Sequence, residues 1–533
     1  MKPNEIRKWK SIPAWAVLAS MVILTFTIFK GGLWSGHDIS AHIDRTMAIN
    51  KELLNLQLVP GFDFFNNNRF GYAWGVFYPP ASSFIIALSK VVTLGLAGVI
   101  LQLKISILLI ISLSGITSYA LGKYIYKDKE KGLWCSFFYI NSVYLLSNIF
   151  LRFSLGEAVA ACFVPLLILG LSASIDDRKE RIFLPIAASL VTLSNIPLML
   201  CSVIICVLTI AIRYRELSLK CIIWLALSVL LTSLFSFFYF LPMIYEMTYN
   251  SIWANGNINF GFDKMWRASS DLSTFVLGDE RVIDQNPAGA FRTIGLINFL
   301  LFCYSFIKSK SEYILKFGFL AVLSVLMSTK FFPWYALPNF LSVLSYIQFP
   351  WRFLLYSSIL CSLVTSGFIG DIKDRKYILF TLIVMVCATS IHATKPSRQT
   401  RIHDAGPVAS LYSDYLPSSA KKDYVISRSE NVKKIDGGRE IYTEKTFLNG
   451  YPVFNFKSDG GYVELPALYY TLLNVKLNGV NIDKHNENGF IKVKSFNGMN
   501  SLALYPSPIM MISMSVSAFC FLLFLYTAFF RRK

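Results

Sequence analysis

Hydrophobic runs about twenty residues long, separated by short polar stretches, recur along most of this 533-residue chain. A run of that length crosses roughly 30 Å of hydrocarbon as an α-helix. The pattern predicts spans at 12–32, 97–122, 132–150, 157–175, 182–195, 196–212, 218–241, 288–307, 313–330, 351–370, 377–392 and 509–529, with the break between 182–195 and 196–212 at Asn195-Ile196-Pro197. The first run follows a basic start, as a signal peptide would, but it is span-length and lacks a small-x-small cleavage site. It therefore reads as a retained span. The run "YPPASSFIIALSKVVTLG", 78–95, is apolar enough to cross. Counting it would place six of the basic clusters downstream on the wrong side, so it reads as an interfacial or re-entrant segment opened by Pro79-Pro80.

Beyond residue 393 the pattern changes. Residues 394–508 turn to Lys, Asn, Asp, Gly and Tyr, and the later part alternates in the manner of strands: "YVELPALYY", "NVKLNGVNI", "GFIKVKSF" and "SLALYP". Asn478-Gly479 and Asn497-Gly498 are turn signals between them. The expected fold is mainly α, a polytopic helical membrane protein of about twelve spans with a small C-terminal extracytoplasmic β domain. Its expected parts are a membrane domain at 1–393 carrying outer loops 33–96 and 243–287, a β domain at 394–508, and a last span with a basic tail at 509–533.

Composition agrees: 54% of residues are hydrophobic and only 16% charged, against about a quarter in soluble domains. The net charge of +19 comes from clusters in short loops, among them Lys123/Lys127/Lys129/Lys131, Arg178/Lys179/Arg181 and Lys373/Arg375/Lys376. These clusters all fall on one side, which the positive-inside rule makes cytoplasmic together with both termini. No basic patch with interleaved aromatics points to nucleic acid. The nine cysteines lie in or beside apolar runs and read as small hydrophobes in packed helices.

Two of the five histidines fall just after the first span, in "GHDISAHIDR", 36–45. On a helix Asp38, His42 and Arg45 share one face, and His37 and Asp44 another. An Asp beside a His at a membrane surface suits a general base, and Asp38 or Asp44 with His42 equally suits a divalent cation such as Mg or Mn. The same residues also read as a solvated loop with a helix cap. Arg152 and Glu157, in "LRFSLGEAVA", stand at a span boundary where charges are costly unless paired or functional. Arg352, in "IQFPWRFLLY", is placed to clamp a phosphate or to anchor the interface beside Trp351. Tyr72, Trp74, Tyr78, Trp334 and Trp351 read as belt aromatics, some of them able to stack on a sugar. No P-loop, H-E-x-x-H or G-x-S-x-G is present, and few charges lie deep in the spans, which disfavours an ion-coupled transporter.

The order of "GHDISAHIDR", "LVPGFDFFNNNRFGYAWGVFYPP", "LRFSLGEAVAACFVPLLIL", "LSNIPLML", "FPWRFL" and "VELPALYYTLLNVKLNGVNI" resembles the GT-C glycosyltransferase superfamily. Within it the chain looks like the bacterial membrane proteins labelled "6-pyruvoyl-tetrahydropterin synthase-related", although nothing in it suggests pterin chemistry. The resemblance implies a polyprenyl-phosphate-linked sugar donor and a glycan or glycolipid acceptor, such as O-antigen or an envelope polysaccharide. Transfer would occur on the outer face of the bacterial inner membrane, with membrane lipid as the surroundings. It implies Asp38 as base, oriented by His42, with Asp44 as the alternative. Arg352, Arg152 and Arg45 would serve the donor phosphate, and Glu157, His37 and Tyr78 would support them. Asn195 stands where relatives often show His, which weakens a metal or acid role there. A non-catalytic partner in polysaccharide assembly or export is the reading from another class.

Overall fold

The computed structural model describes residues 12–57, 61–65, 69–254, 261–272, 292–309, 311–369, 376–394, 401–404 and 412–529. The terminal basic clusters Lys2/Arg7/Lys8/Lys10 and Arg531/Arg532/Lys533, Lys373/Arg375 and most of the expected 243–287 loop beyond residue 272 lie outside the described residues. The chain divides into two compact units. One comprises Met1–Ile39, Leu88–Thr232 and Phe260–Ala405; the other comprises Ser40–Ala87, Ser233–Asn259 and Gly406–Lys533.

Among the described residues the expected spans coincide with helix, yet five of those helices are long and apolar enough to cross alone: Ile12–Phe29, Val99–Tyr126, Leu155–Ile175, Pro350–Ile369 and Pro508–Ala528. Two bent pairs raise the number to seven: Lys129–Ile140 with Val143–Phe150, bent by 46°, and Leu219–Phe235 with Phe237–Tyr249, bent by 66°. The expected straight spans 132–150 and 218–241 are therefore broken. The chain is a multi-pass membrane protein, and among the described residues Ala81–Val92, Ile196–Ile212 and Leu296–Lys308 are shorter apolar helices. Phe183–Thr192 has 10 residues, about 15 Å at 1.5 Å per residue, too little to cross alone. The break at Asn195 is as expected, and its cause is visible: the Asn195 side chain accepts the Leu198 N–H at 3.0 Å and Pro197 opens the next helix. Segment 78–95 forms the 12-residue helix Ala81–Val92, again too short to span.

In the first unit, Leu155–Ile175 and Pro350–Ile369 are 89% and 94% buried over their apolar windows, against 33% for Ile12–Phe29. The first two form the centre and the third faces lipid. Contacts without side chains let helices close in, as small residues do within membranes. A Cβ on Gly122 would stand 2.7 Å from Cys135 Cβ, and one on Gly170 would stand 2.5 Å from the Leu184 nitrogen. Asn141, at the break in the bent pair, donates to Ser20 Oγ at 2.9 Å and accepts from Ser390 Oγ at 2.6 Å. The amide thus ties three apolar segments while satisfying itself.

Two short strands, β1 (Leu33–Trp34) and β2 (Arg401–Ile402), pair in the first unit. In the second unit the long strands are β6 (Tyr451–Leu468) and β10 (Phe490–Pro506); the others are β3 (Val432–Lys434), β4 (Glu440–Ile441), β5 (Thr443–Leu448), β7 (Leu473–Leu477), β8 (Val480–Ile482) and β9 (His485–Glu487). They form an antiparallel sheet in the order β4-β3-β6-β10-β7-β8, with β5 pairing β6 and β9 pairing β10. Asn478-Gly479 is the turn of the β7–β8 hairpin, with φ of 47° and 86°, as the primed two-residue turns require. Asn449-Gly450 and Asn488-Gly489 take similar positive φ values between β5 and β6 and between β9 and β10. Asn497-Gly498 departs from expectation. It stays inside β10, paired with Asp459 and Ser458, and Gly498 at φ 104° bends the strand beside Gly460 and Gly461 of β6. "GFIKVKSF" and "SLALYP" are therefore one strand.

Candidate functional site

The stretch before Asp38 is fixed by its neighbours in the first unit. The two-residue strand Leu33–Trp34 pairs with Arg401–Ile402, and the buried Trp34 indole donates to the Ile149 carbonyl at 3.1 Å. Gly36 is required by close approach, since a Cβ there would lie 2.6 Å from Phe153 Cβ. The Gly36-His37-Asp38 turn is thereby docked on Leu151–Phe153, and the Asp38 N–H donates to the Arg152 carbonyl at 3.1 Å. Asp38 is exposed and immediately precedes the helix Ile39–Leu54. His37 is exposed in the same turn; desolvation first, and the Arg152 charge second, push its pKa below the ordinary histidine value.

Arg152 lies in the turn between two apolar helices and grips Glu157 with both arms, Nη1 to Oε2 at 2.7 Å and Nη2 to Oε1 at 3.0 Å. It also donates to Asn148 Oδ1 at 2.8 Å. Arg352 approaches from the segment Pro350–Phe353, its Nε 2.9 Å from the same Glu157 Oε1. Its Nη1 donates to the Ile347 carbonyl and, at 3.4 Å, to Gln348 Oε1. Gln348 holds that turn at φ 63°. The Glu157 side chain is 1% exposed and that of Arg352 7%. Two guanidinium groups thus share one carboxylate in a buried setting, where low dielectric strengthens both attraction and the cost of any unmatched charge. Glu157 stands in the first turn of Leu155–Ile175, the end of a helix that favours a carboxylate.

Of the expected site residues, this unit gathers His37, Asp38, Arg152, Glu157 and Arg352. The pairing of Arg152 with Glu157, one of the two readings of that motif, is present, and Arg352 joins it. His42, Asp44, Arg45 and Tyr78 belong to the second unit. There His42 is 1% exposed and Asp44 4%, and burial, followed by the Arg45 charge, lowers the His42 pKa well below its ordinary value. The Arg45 guanidinium lies 3.8 Å from the Tyr78 ring centroid, and Tyr78 meets His42 edge-on at 6.3 Å. No three His, Cys, Asp or Glu side chains gather as metal ligands among the described residues. Trp334 and Trp351, expected at the belt, are 1% and 5% exposed and pack inward in the first unit.

Sequence reasoning passed over several neighbours. Asn148 stands one helical turn before Arg152, a spacing that could have found it. Arg292 stacks on the Trp351 ring at 3.7 Å, from a segment distant in sequence with no pattern of its own. In the second unit Glu52 is wholly buried, and burial followed by the Asp63 charge raises its pKa well above the usual carboxylate value.

No family model matches the chain. An uncharacterized protein of Lactococcus lactis subsp. cremoris (strain MG1363) is 26% identical over 337 residues, 60% of this chain and 53% of that protein. The chain thus spans about half of that curated relative. Among solved structures it is similar to ArnT from Cupriavidus metallidurans, bound to undecaprenyl phosphate (13% identity, TM-score 0.42, 70% of this chain and 63% of that one). It is also similar to the arabinofuranosyltransferase AftD from Mycobacteria (13%, 0.44, 74% and 27%). The third is the Archaeoglobus fulgidus oligosaccharyltransferase in its apo form (12%, 0.44, 75% and 57%). At this level the likeness assigns no residue of this chain a role.

Proposed function

We propose that this chain transfers a sugar from a polyprenyl-phosphate carrier to a lipid-linked or cell-surface glycan on the outer face of the bacterial inner membrane. The observation that carries the reading is the Arg152–Glu157–Arg352 cluster beside the Asp38 turn. Two guanidinium charges against one buried carboxylate leave a net positive charge. Arg352 Nη2 and Arg152 Nε donate to no described residue, so each keeps an N–H for a further acceptor. A phosphate leaving group presents such an acceptor, and arginine binds it without itself losing a proton.

In this reading the acceptor hydroxyl attacks the anomeric carbon as the carbon–oxygen bond to the carrier phosphate breaks. The bonding pair leaves with the phosphate, whose charge the two arginines offset. The hydroxyl proton passes to the Asp38 carboxylate. Glu157 acts by holding the two guanidinium planes in place. The motif resemblance and the apolar spans support the same reading.

The test is the cell-surface glycan of a deletion strain complemented with wild type, Asp38→Asn or Arg352→Gln at matched membrane levels, read by mass spectrometry. Wild type is expected to add a sugar. Loss of a general base costs about 10²–10⁴-fold, so Asp38→Asn should abolish the addition, and Arg352→Gln should weaken it strongly. Full restoration by Asp38→Asn would remove Asp38 as the base.

A further inference from the structure

Lys104 lies six residues into the helix Val99–Tyr126 and is only 4% exposed. Its ammonium donates to the Gly31 carbonyl, and among the described residues no carboxylate stands within ion-pair distance of it. The adjacent carbonyl, of Gly32, takes Arg401 Nη1 at 3.1 Å. Lys104 and Arg401 thus donate to the two successive carbonyls of a Gly-Gly turn. A buried charge that lacks a counter-ion is costly and marks function more often than packing at a membrane boundary.

The same ammonium lines an open cleft of about 540 Å³, bounded by Phe29, Val99–Leu101, His403 and Asp404. Val99 begins its helix after Gly98 without a side-chain cap, so first-turn N–H groups add to the positive end of a 28-residue helix. Asp404 is exposed in the same wall of the cleft. One span ends at Phe29 and the next begins at Val99, so the cleft lies at the ends of two apolar helices.

The geometry points to a second anion site, separate from the Arg152–Arg352 cluster, in which Lys104, with Arg401 and His403 beside it, binds a phosphate group. Its apolar wall of Phe29 and Val99–Leu101 favours the phosphodiester of a membrane lipid; free phosphate carries the same chemistry. Occupancy would supply the counter-ion that Lys104 lacks.

The full-length protein in phosphate-free maltoside micelles is the material for the test. Phosphatidylglycerol is titrated and retained lipid read by native mass spectrometry; a parallel arm reads the melting shift produced by inorganic phosphate. Wild type and Arg352→Gln should bind alike, while Lys104→Met should lose about ten-fold or more in affinity, the scale of one charge-assisted contact. Lys104→Arg should retain binding, and His403→Ala, at an exposed position, should weaken it without disturbing the fold. Saturable lipid binding identifies the lipid as the source, and a response to inorganic phosphate alone identifies the free anion. Equal binding by wild type, Lys104→Met and His403→Ala in both arms would overturn the site. Since the readout is binding and not sugar transfer, failure here is distinguishable from failure of the proposed transferase activity.

Discussion

His42 illustrates how position changes what a residue can do. Buried and held neutral, its pKa sits well below the ordinary 6.5, so the unfolded chain binds a proton that the folded chain refuses. The resulting stability is fully present above about pH 6.5 and is lost as pH falls below that value towards the folded pKa. Thermal unfolding of wild type in detergent should therefore weaken between pH 7.5 and 5.5, and His42→Gln should flatten that dependence; an unchanged slope would show that other groups carry it. Glu157 depends on its two arginine partners instead. Glu157→Gln leaves two buried guanidinium groups without their carboxylate and is expected to cost about 3–5 kcal/mol, read as a lowered midpoint of unfolding. Asp38, His42, Arg152 and Arg352 were all legible as candidates because charged residues at span edges are conspicuous. That one carboxylate would serve both arginines was not legible, since 195 positions separate Glu157 from Arg352.

Among the elements, local signals were reliable where the chain decides alone. Asn195 with Pro197 starts a helix, and Asn478-Gly479 closes a hairpin, because both are short-range matters of backbone conformation and capping. Asn497-Gly498 carries the same letters as that hairpin, yet it remains in a strand because β6 pairs on both sides of it, from Lys492↔Glu464 to Ala503↔Val453. Gly498→Ala meets no side-chain clash, so its cost should come from the positive φ alone, about 1–3 kcal/mol. Chemical denaturation reads that loss; a neutral result would mean that the bend relaxes. The broken spans follow the same logic. Asn141 and Ser236 lie in apolar surroundings that read as continuous helix, and only the partners of Asn141, Ser20 and Ser390, explain the first break.

At the scale of the molecule, many exposed apolar side chains on the helices are answered by lipid. Val22 is 61% exposed on Ile12–Phe29, whereas Ala161 is wholly buried in Leu155–Ile175. Thermal unfolding in detergent should change within about 0.5 kcal/mol for Val22→Ala, and Ala161→Leu should cost about 1–3 kcal/mol through overpacking. Equal effects would contradict the assignment of centre and lipid face. Hydropathy, charge and alternation, properties of short stretches in a solvent of known thickness, by themselves determined that this chain is a helical membrane protein with a C-terminal sheet. Tertiary structure alone decided which helices lie at the centre of the first unit, where spans bend, which Asn-Gly pair turns, and that Arg152, Glu157, Arg352 and the Asp38 turn meet. Those outcomes depend on contacts between residues far apart in sequence, where a backbone approach or a shared carboxylate overrides what each stretch would do alone.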